Sequence, residues 1–492
     1  MGHINDCPVL LTGNQITMTK VSAPKRPPLW AALLPIIILL VSLIVIIAIE
    51  GADAINQWSS VVLLGVSGVA LILAYMTGAL TSRGMKVGGA RSGSQILPAV
   101  PMLICIAMIA TTWMLSGVVP TLIEYGLRLL SPKLFLAITC CVCALVSVLT
   151  GSSWSTIATI GVAFMGIGKL MGYSDGWIAG AIISGAYFGD KISPLSDTTV
   201  VASSACGVDL FKHIRYLMLS SMPAITIAVI VFACVGLLTP IEVMTQENNL
   251  WGALHSTFNI TPYTLLIPIV TLILIASRVP TLLTLAAAAV MGYIGIFVFQ
   301  ENSMTYNEAF SALWNGSSLS TGDSTLDNLV STGGITGMLP TIALVLSAMV
   351  FGSVMIGTGM LSVVTSAFTK KLRKCTSVVG ATVGGGLFMN SCTADQYLSL
   401  IITGNMFRNV YRRCGLEPRL LSRTIEDSVS VTSVLIPWNS CGITQSTVLG
   451  VATLTYLPYC IFNILSPCMS LLLAFTGFKI KQHYRSLAHV HR

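Results

Sequence analysis

Charge is what this chain has least of. Asp, Glu, Lys and Arg make up 9% of its 492 residues, against about 25% in a soluble globular protein. A water-filled surface all round is therefore excluded. The 13 cysteines form no disulfide framework, and the one close set, Cys140-Cys141-Val142-Cys143, lies inside an apolar run and reads as core- or lipid-facing small residues, not as a zinc pair. Gly151-Ser152-Ser153-Trp154 is not a GxSxG elbow, no HExxH occurs, and Gly168-Lys169-Leu170 lacks a P-loop. An enzyme is not expected, and neither is an ATP-driven pump. His3, His213, His255, His483, His489 and His491 fall in tails or loops and read as neither relays nor metal ligands.

What fills the chain is apolar sequence: 54% hydrophobic residues and a mean hydropathy of +0.84. The runs Leu29–Ile49, Val61–Leu80, Leu217–Leu238 and Tyr456–Phe475 each approach the ~20 residues that span the hydrocarbon of a bilayer. The fold class expected is an all-α polytopic membrane protein with about 10–12 full spans. Residues 1–28 are polar and precede a full-length apolar run, so they read as a tail and not as a cleavable signal.

The formal charge of +8 has to be read by position. Basic residues gather at Lys20, Lys25 and Arg26, at Arg83, Lys86 and Arg91, at Lys212 and Arg215, at Lys370–Lys374, at Arg408–Arg423, and in the last residues from Lys479. The stretches 239–262 and 301–337 contain no Lys or Arg. Basic loops favour the cytoplasmic side, so both termini are expected inside a cytoplasmic membrane. Nucleic acid is not an expected partner.

A weak repeat accompanies this alternation. Gly117 is followed 34 residues later by the tip Gly151-Ser152-Ser153, and Gly357 is followed 34 residues later by Ser391-Cys392-Thr393. Each unit ends in an apolar segment with an acid and a later proline, Asp190/Pro194 and Asp427/Pro437. The charge rule sends the two units in opposite directions, so inverted-topology repeats are expected. The boundaries read as a cytoplasmic tail 1–28; a first repeat 29–238 with a re-entrant hairpin 134–172 and a broken helix 177–205; an extracytoplasmic linker 239–261; a second repeat 262–476 with a hairpin 377–407 and a broken helix 425–450; and a cytoplasmic tail 477–492.

The most informative string is Gly189-Asp190-Lys191-Ile192-Ser193-Pro194-Leu195-Ser196-Asp197-Thr198-Thr199. Pro194 interrupts the helix, and charge beside broken backbone at membrane depth persists only where it lines a cavity or binds something. A hard monovalent cation takes oxygen ligands. The first half offers Asp190, Ser193, Asp197, Thr198 and Thr199 on the break, with Thr150, Ser152, Ser153 and Ser155 on the facing tip. The second half offers Asn390, Thr393 and Asp395, then Asp427, Asn439 and Ser440. Asp190 and Asp197 are the expected cation-binding carboxylates. Burial raises the proton affinity of such a group and a bound cation lowers it, so the two ions compete at one site. Lys191 offers an ion pair for Asp190, and Arg423 one for Glu426 near the membrane surface. Arg408, Arg412 and Arg413 read as cytoplasmic anchors, and Trp154 and Trp438 as packing at the breaks.

Gly189–Thr199, together with Thr150–Thr156, Thr393–Tyr397, Arg423–Ser428 and Ile436–Gly442, resembles the NhaC-type sodium/proton antiporter family of the ion transporter superfamily over roughly residues 30–476. The resemblance implies sodium-coupled secondary transport: exchange of Na+ for H+, or alternatively sodium-coupled movement of an organic acid such as malate or lactate, or of an amino acid. Val200-Val201-Ala202 departs from the Asn-Leu-Ala of many members, which removes a polar side chain near the site. No cofactor is expected beyond Na+ and H+ as coupling ions. The expected partners are those ions, the lipid bilayer, a small organic anion or amino acid in the alternative reading, and a second copy of the chain in a homodimer.

Overall fold

A computed structural model describes residues 26–50, 54–97, 99–239, 254–277, 279–300, 304–318, 331–368 and 374–478, with Asp327 and Leu372 besides. Most of both tails and of the linker fall outside these residues, and so do the charge-based expectations for them. Among the described residues the secondary structure is helical, apart from a single antiparallel bridge between Ser317 and Thr332.

Among the described residues six helices are long and apolar enough to cross a membrane: Leu29–Glu50, Trp58–Met76, Pro132–Thr150, Leu210–Leu238, Thr281–Phe299 and Gly334–Gly357. Two bent pairs raise the number to eight, Val100–Leu115 with Val118–Leu129 at 68° and Thr453–Tyr459 with Ile461–Thr476 at 56°. The protein is a polytopic α-helical membrane protein. The expected 10–12 spans exceed this number, since shorter apolar helices such as Pro262–Ile275 fall below the length required. The long helices are apolar all round: Ile37, Val41, Ile44 and Val45 face outward while Ile36, Leu39 and Leu43 face the core. In water that pattern would be unfavourable; in lipid it is the expected one.

Each expected hairpin is a helix, a one-residue turn and a returning helix. In the first, Phe135–Thr150 ends at Gly151 in the left-handed region (φ 67°), Ser152 caps the return, and the returning arm contains a π turn at Ile157–Gly161. Gly151 is required twice over, because a Cβ there would also stand 2.6 Å from Leu195 Cβ, just after Pro194. In the second, Cys375–Thr393 turns at Ala394 (φ 54°), and Asp395 caps Gln396–Arg413.

Both expected helix breaks are present. Asp175–Ile192 stops at Ser193, passes Pro194 and restarts at Asp197–Cys206 under a Ser196 cap. Pro418–Ile425 widens into a π turn at Glu426–Ser430, passes Pro437 and restarts at Ser440–Leu449 under an Asn439 cap.

The same features recur at a constant offset. Gly151 and Ala394, Ser152 and Asp395, Pro194 and Pro437, Ser196 and Asn439, and Gly207 and Gly450 are each 243 residues apart. Contacts recur with them. Ser147 donates to the Ala186 carbonyl (2.6 Å) and Asn390 to the Val429 carbonyl (2.8 Å), at the same offset. This register corrects the alignment read from sequence. The turn residue Gly117 (φ 80°) is echoed by the turn residue Gly359 (φ 73°), 242 residues on and so one residue short of the register, whereas Gly357 closes a helix; Ala394 and not Ser391 matches Gly151. Asp427 is likewise not the counterpart of Asp190, whose position is held by Ser433.

The first hairpin is seated on the first broken helix through glycine. A Cβ on Gly185 would stand 2.1 Å from the Cys140 carbonyl oxygen, and one on Gly189 would stand 2.3 Å from that of Ala144. Gly185→Val is therefore expected to push these helices apart and to destabilise the protein by about 1–3 kcal/mol, the usual cost of overpacking. The melting temperature in detergent checks this; an unchanged value would mean that the two helices are not packed backbone to backbone.

Candidate functional site

The first site forms where the tip of the first hairpin meets the first break. Asp190 is buried in the last turn before the break. Its Oδ2 accepts the backbone N–H (3.2 Å) and hydroxyl (2.7 Å) of Ser153, and its Oδ1 accepts the Ser196 hydroxyl (2.6 Å). Ser196 is thereby committed as a donor, so in its contact with Thr198 (2.9 Å) the Thr198 hydroxyl donates. An anion in a buried position is held by three donors, two of which are hydroxyls. The chemistry suits a cation, because a hydroxyl that donates to an empty carboxylate can rotate and offer a lone pair to an ion beside it.

The other candidates on this half have narrower roles. Thr199 donates to the freed Lys191 carbonyl (3.0 Å) and Ser193 to the Val148 carbonyl (2.7 Å), so both hold the break in shape. Thr150 accepts the Ser152 N–H (3.2 Å), and Ser152 accepts the Ser155 N–H (3.2 Å), which spends these three largely on the tip itself. Asp197 is exposed, in the first turn of the restarting helix.

In the second half the tip and the break meet again, with a different acid. Asp395 accepts the Leu398 N–H (2.8 Å) as a helix cap and the Ser440 hydroxyl (3.3 Å) on its other oxygen. Thr393 accepts the Asp395 N–H (3.3 Å). Asn439 accepts the Cys441 N–H (3.1 Å) and donates to the Asn390 carbonyl (3.1 Å), while Asn390 also donates to Thr432 (3.2 Å). Where the first half has Asp190 with Ser153, the second has Ser433 donating to the Gln396 side-chain oxygen (3.1 Å). Trp438 packs at the break and donates to the Ser391 carbonyl (2.9 Å).

Between the breaks lies a buried charge cluster that several expectations missed. Lys191 pairs with Asp427, not with Asp190, and also donates to Ser466 (2.7 Å). Asp427 accepts hydroxyls of Ser220 (3.0 Å), Ser466 (2.9 Å) and Ser470 (2.5 Å), and Arg423 Nε lies 3.8 Å away. Both of its oxygens are occupied, and Asp427 is the ion-pair partner of Lys191. Arg423 is wholly buried, stacks over the Tyr216 ring (4.7 Å), and reaches Asp427 instead of pairing with Glu426 at a membrane surface. His213 is also wholly buried, within the helix Leu210–Leu238 and not in a loop, with its Nε2 4.0 Å from Glu426. The periodicity of 210–238 carries that signal: His213, Tyr216, Leu217 and Ser220 share one helical face. Ser196 was legible too, as the residue just before the restarting helix.

Comparison with known proteins gives a consistent picture. The sequence model of the Na+/H+ antiporter family matches residues 28–219 and again residues 185–478. The chain is 36% identical over 397 residues to the Na+/H+ antiporter NhaC of Alkalihalophilus pseudofirmus, covering 81% of this chain and 84% of that protein. It is 36% identical over 384 residues to the malate-2H+/Na+-lactate antiporter of Bacillus subtilis, covering 77% and 81%. It is 34% identical over 460 residues to the arginine/ornithine antiporter ArcD of Halobacterium salinarum, covering 93% of each.

Proposed function

Since the chain belongs to the Na+/H+ antiporter family, we propose that it exchanges Na+ for H+ across the cytoplasmic membrane, with both termini on the cytoplasmic side. The observation that carries this reading is the Asp190 carboxylate, buried where a hairpin tip meets a helix break and ringed by Ser153 and Ser196. Sodium takes the place of the hydroxyl hydrogens: Asp190 supplies the charge, and Ser153, Ser196 and freed backbone carbonyls of the break supply neutral oxygens. A proton on Asp190 removes the charge that attracts sodium, so the two ions exclude each other there. The recurrence at an offset of 243 residues supports two repeats of inverted topology, between which the site alternates its access.

A second reading is sodium-coupled exchange of an organic acid or an amino acid. Two of the similar proteins bear such names at comparable identity, and a cavity of about 390 Å3 lined by Ala107, Met114, Met165, Gly334 and Thr447 is large enough for a small solute. Proteoliposomes with an imposed sodium gradient separate the two readings when internal pH and uptake of labelled malate, lactate and arginine are followed together. The expected result is sodium-driven proton movement with no organic solute present. Sodium-dependent solute uptake without solute-free proton movement would replace the first reading by the second.

A further inference from the structure

His213 and Glu426 play no part in the Asp190 site, yet both are wholly buried and face one another at 4.0 Å. His213 Nε2 has no hydrogen-bond partner, and the Glu426 carboxylate has no close one, with the Ser430 and Thr198 hydroxyls near it. Leaving such groups bare in the interior is costly, and more so for a charged one. The hydrogen-bond pattern says what is missing. His213 Nδ1 lies 2.8 Å from Ser422 Oγ, and Ser422 donates its single hydroxyl hydrogen to the Arg419 carbonyl (3.1 Å). Where Ser422 keeps that bond, Nδ1 is the donor, which leaves Nε2 of the neutral imidazole with a lone pair facing the carboxylate. Two acceptors face each other with no hydrogen between them.

We propose that His213 and Glu426 form a proton-binding site, in which one proton is shared between the imidazole Nε2 and the carboxylate. The inference rests on the exchange reading above and adds a place for the proton apart from the sodium carboxylate. No bond other than N–H or O–H forms, no electrons are transferred, and the proton is released to water.

Charge balance links the two sites. The groups around the pair are Asp190, Lys191 and Cys206 from the first break, Tyr216 from the helix carrying His213, and Arg423 and Asp427 from the helix carrying Glu426. Three buried carboxylates, Asp190, Glu426 and Asp427, stand against two buried cations, Lys191 and Arg423. The cluster is one positive charge short of neutral. A proton at His213–Glu426 or a sodium ion at Asp190 supplies it, and both together overfill it. Burying net charge is costly, so occupancy of one site disfavours the other.

The test counts protons taken up by purified protein in sodium-free solution between alkaline and mildly acidic pH, in wild type, Glu426→Gln and His213→Gln. The glutamine at 213 carries a permanent N–H donor where the lone pair stood, and the glutamine at 426 cannot take a proton. Each variant is expected to take up one proton fewer than the wild type. An undiminished uptake in a variant that still melts cooperatively overturns the proposal; if Glu426→Gln fails to fold, His213→Gln decides. Adding sodium to the wild type should then expel the same proton. If the proton is present but sodium does not expel it, the charge coupling between the two sites fails while the proton site stands, and the exchange reading is decided separately by the proteoliposome measurement.

Discussion

Replacing Asp190 with Asn is expected to end sodium-driven exchange in a protein that remains folded. The amide has the size and shape of the carboxylate, so Ser153 and Ser196 keep a partner and the hairpin tip stays seated on the break. What is lost is the one buried negative charge at that junction, and hydrogen bonds to a charged group contribute roughly 1.5–3 kcal/mol each. Sodium affinity should fall by at least ~100-fold, equivalent to two steps of about 1.4 kcal/mol. Sodium-dependent acidification in proteoliposomes measures it, beside a melting curve of the same preparation. Transport at the wild-type rate would remove Asp190 from the site. Asp197, in contrast, is exposed in the first turn of its helix, where water screens its charge, and its amide variant should be the milder of the two.

The second large effect concerns stability and is asymmetric. Lys191 and Asp427 are both fully buried and paired. Breaking a buried pair by removing one partner typically costs about 3–5 kcal/mol, because the other charge is left uncompensated. The two removals are not equivalent here. Lys191→Met leaves Asp427 with the hydroxyls of Ser220, Ser466 and Ser470 and with Arg423 at 3.8 Å. Asp427→Asn strands two cations, Lys191 and Arg423, because Arg423 has no hydrogen bond of its own. Asp427→Asn should therefore lower the melting temperature clearly more than Lys191→Met. In the double variant the loss should be smaller than the sum of the single losses. Equal single losses that simply add would mean that the pair is not energetically coupled.

Much of this architecture could be read from composition and punctuation. Helix breaks at Pro194 and Pro437 follow from the missing amide hydrogen, and hairpin tips follow from short apolar segments ending in hydroxyl clusters. These are local effects, and local effects are written in consecutive residues. The register of the repeat was misread because Gly357 and Gly359 are interchangeable in sequence, while only Gly359 sits where φ is positive. The ion pairs were misread for a different reason. Lys191 is next to Asp190 in the chain, but adjacent side chains on a helix point apart, and the partner it meets is 236 residues away. His213 was passed over because Lys212 and Arg215 make its neighbourhood look like a loop at a membrane surface. Only the packing of Leu210–Leu238 against the second break turns that ring inward.

The two halves share a scaffold but not a placement of acid: Asp190 sits on a broken helix, Asp395 on a hairpin tip, and their counterparts are Ser433 and Ser152. A molecule built from matching frames with unmatched charges has a polarity of its own. The tip-and-break junctions of the two halves offer unequal grips on a cation, while the direction of net exchange is still set by the gradients alone, and that inequality is carried by four side chains.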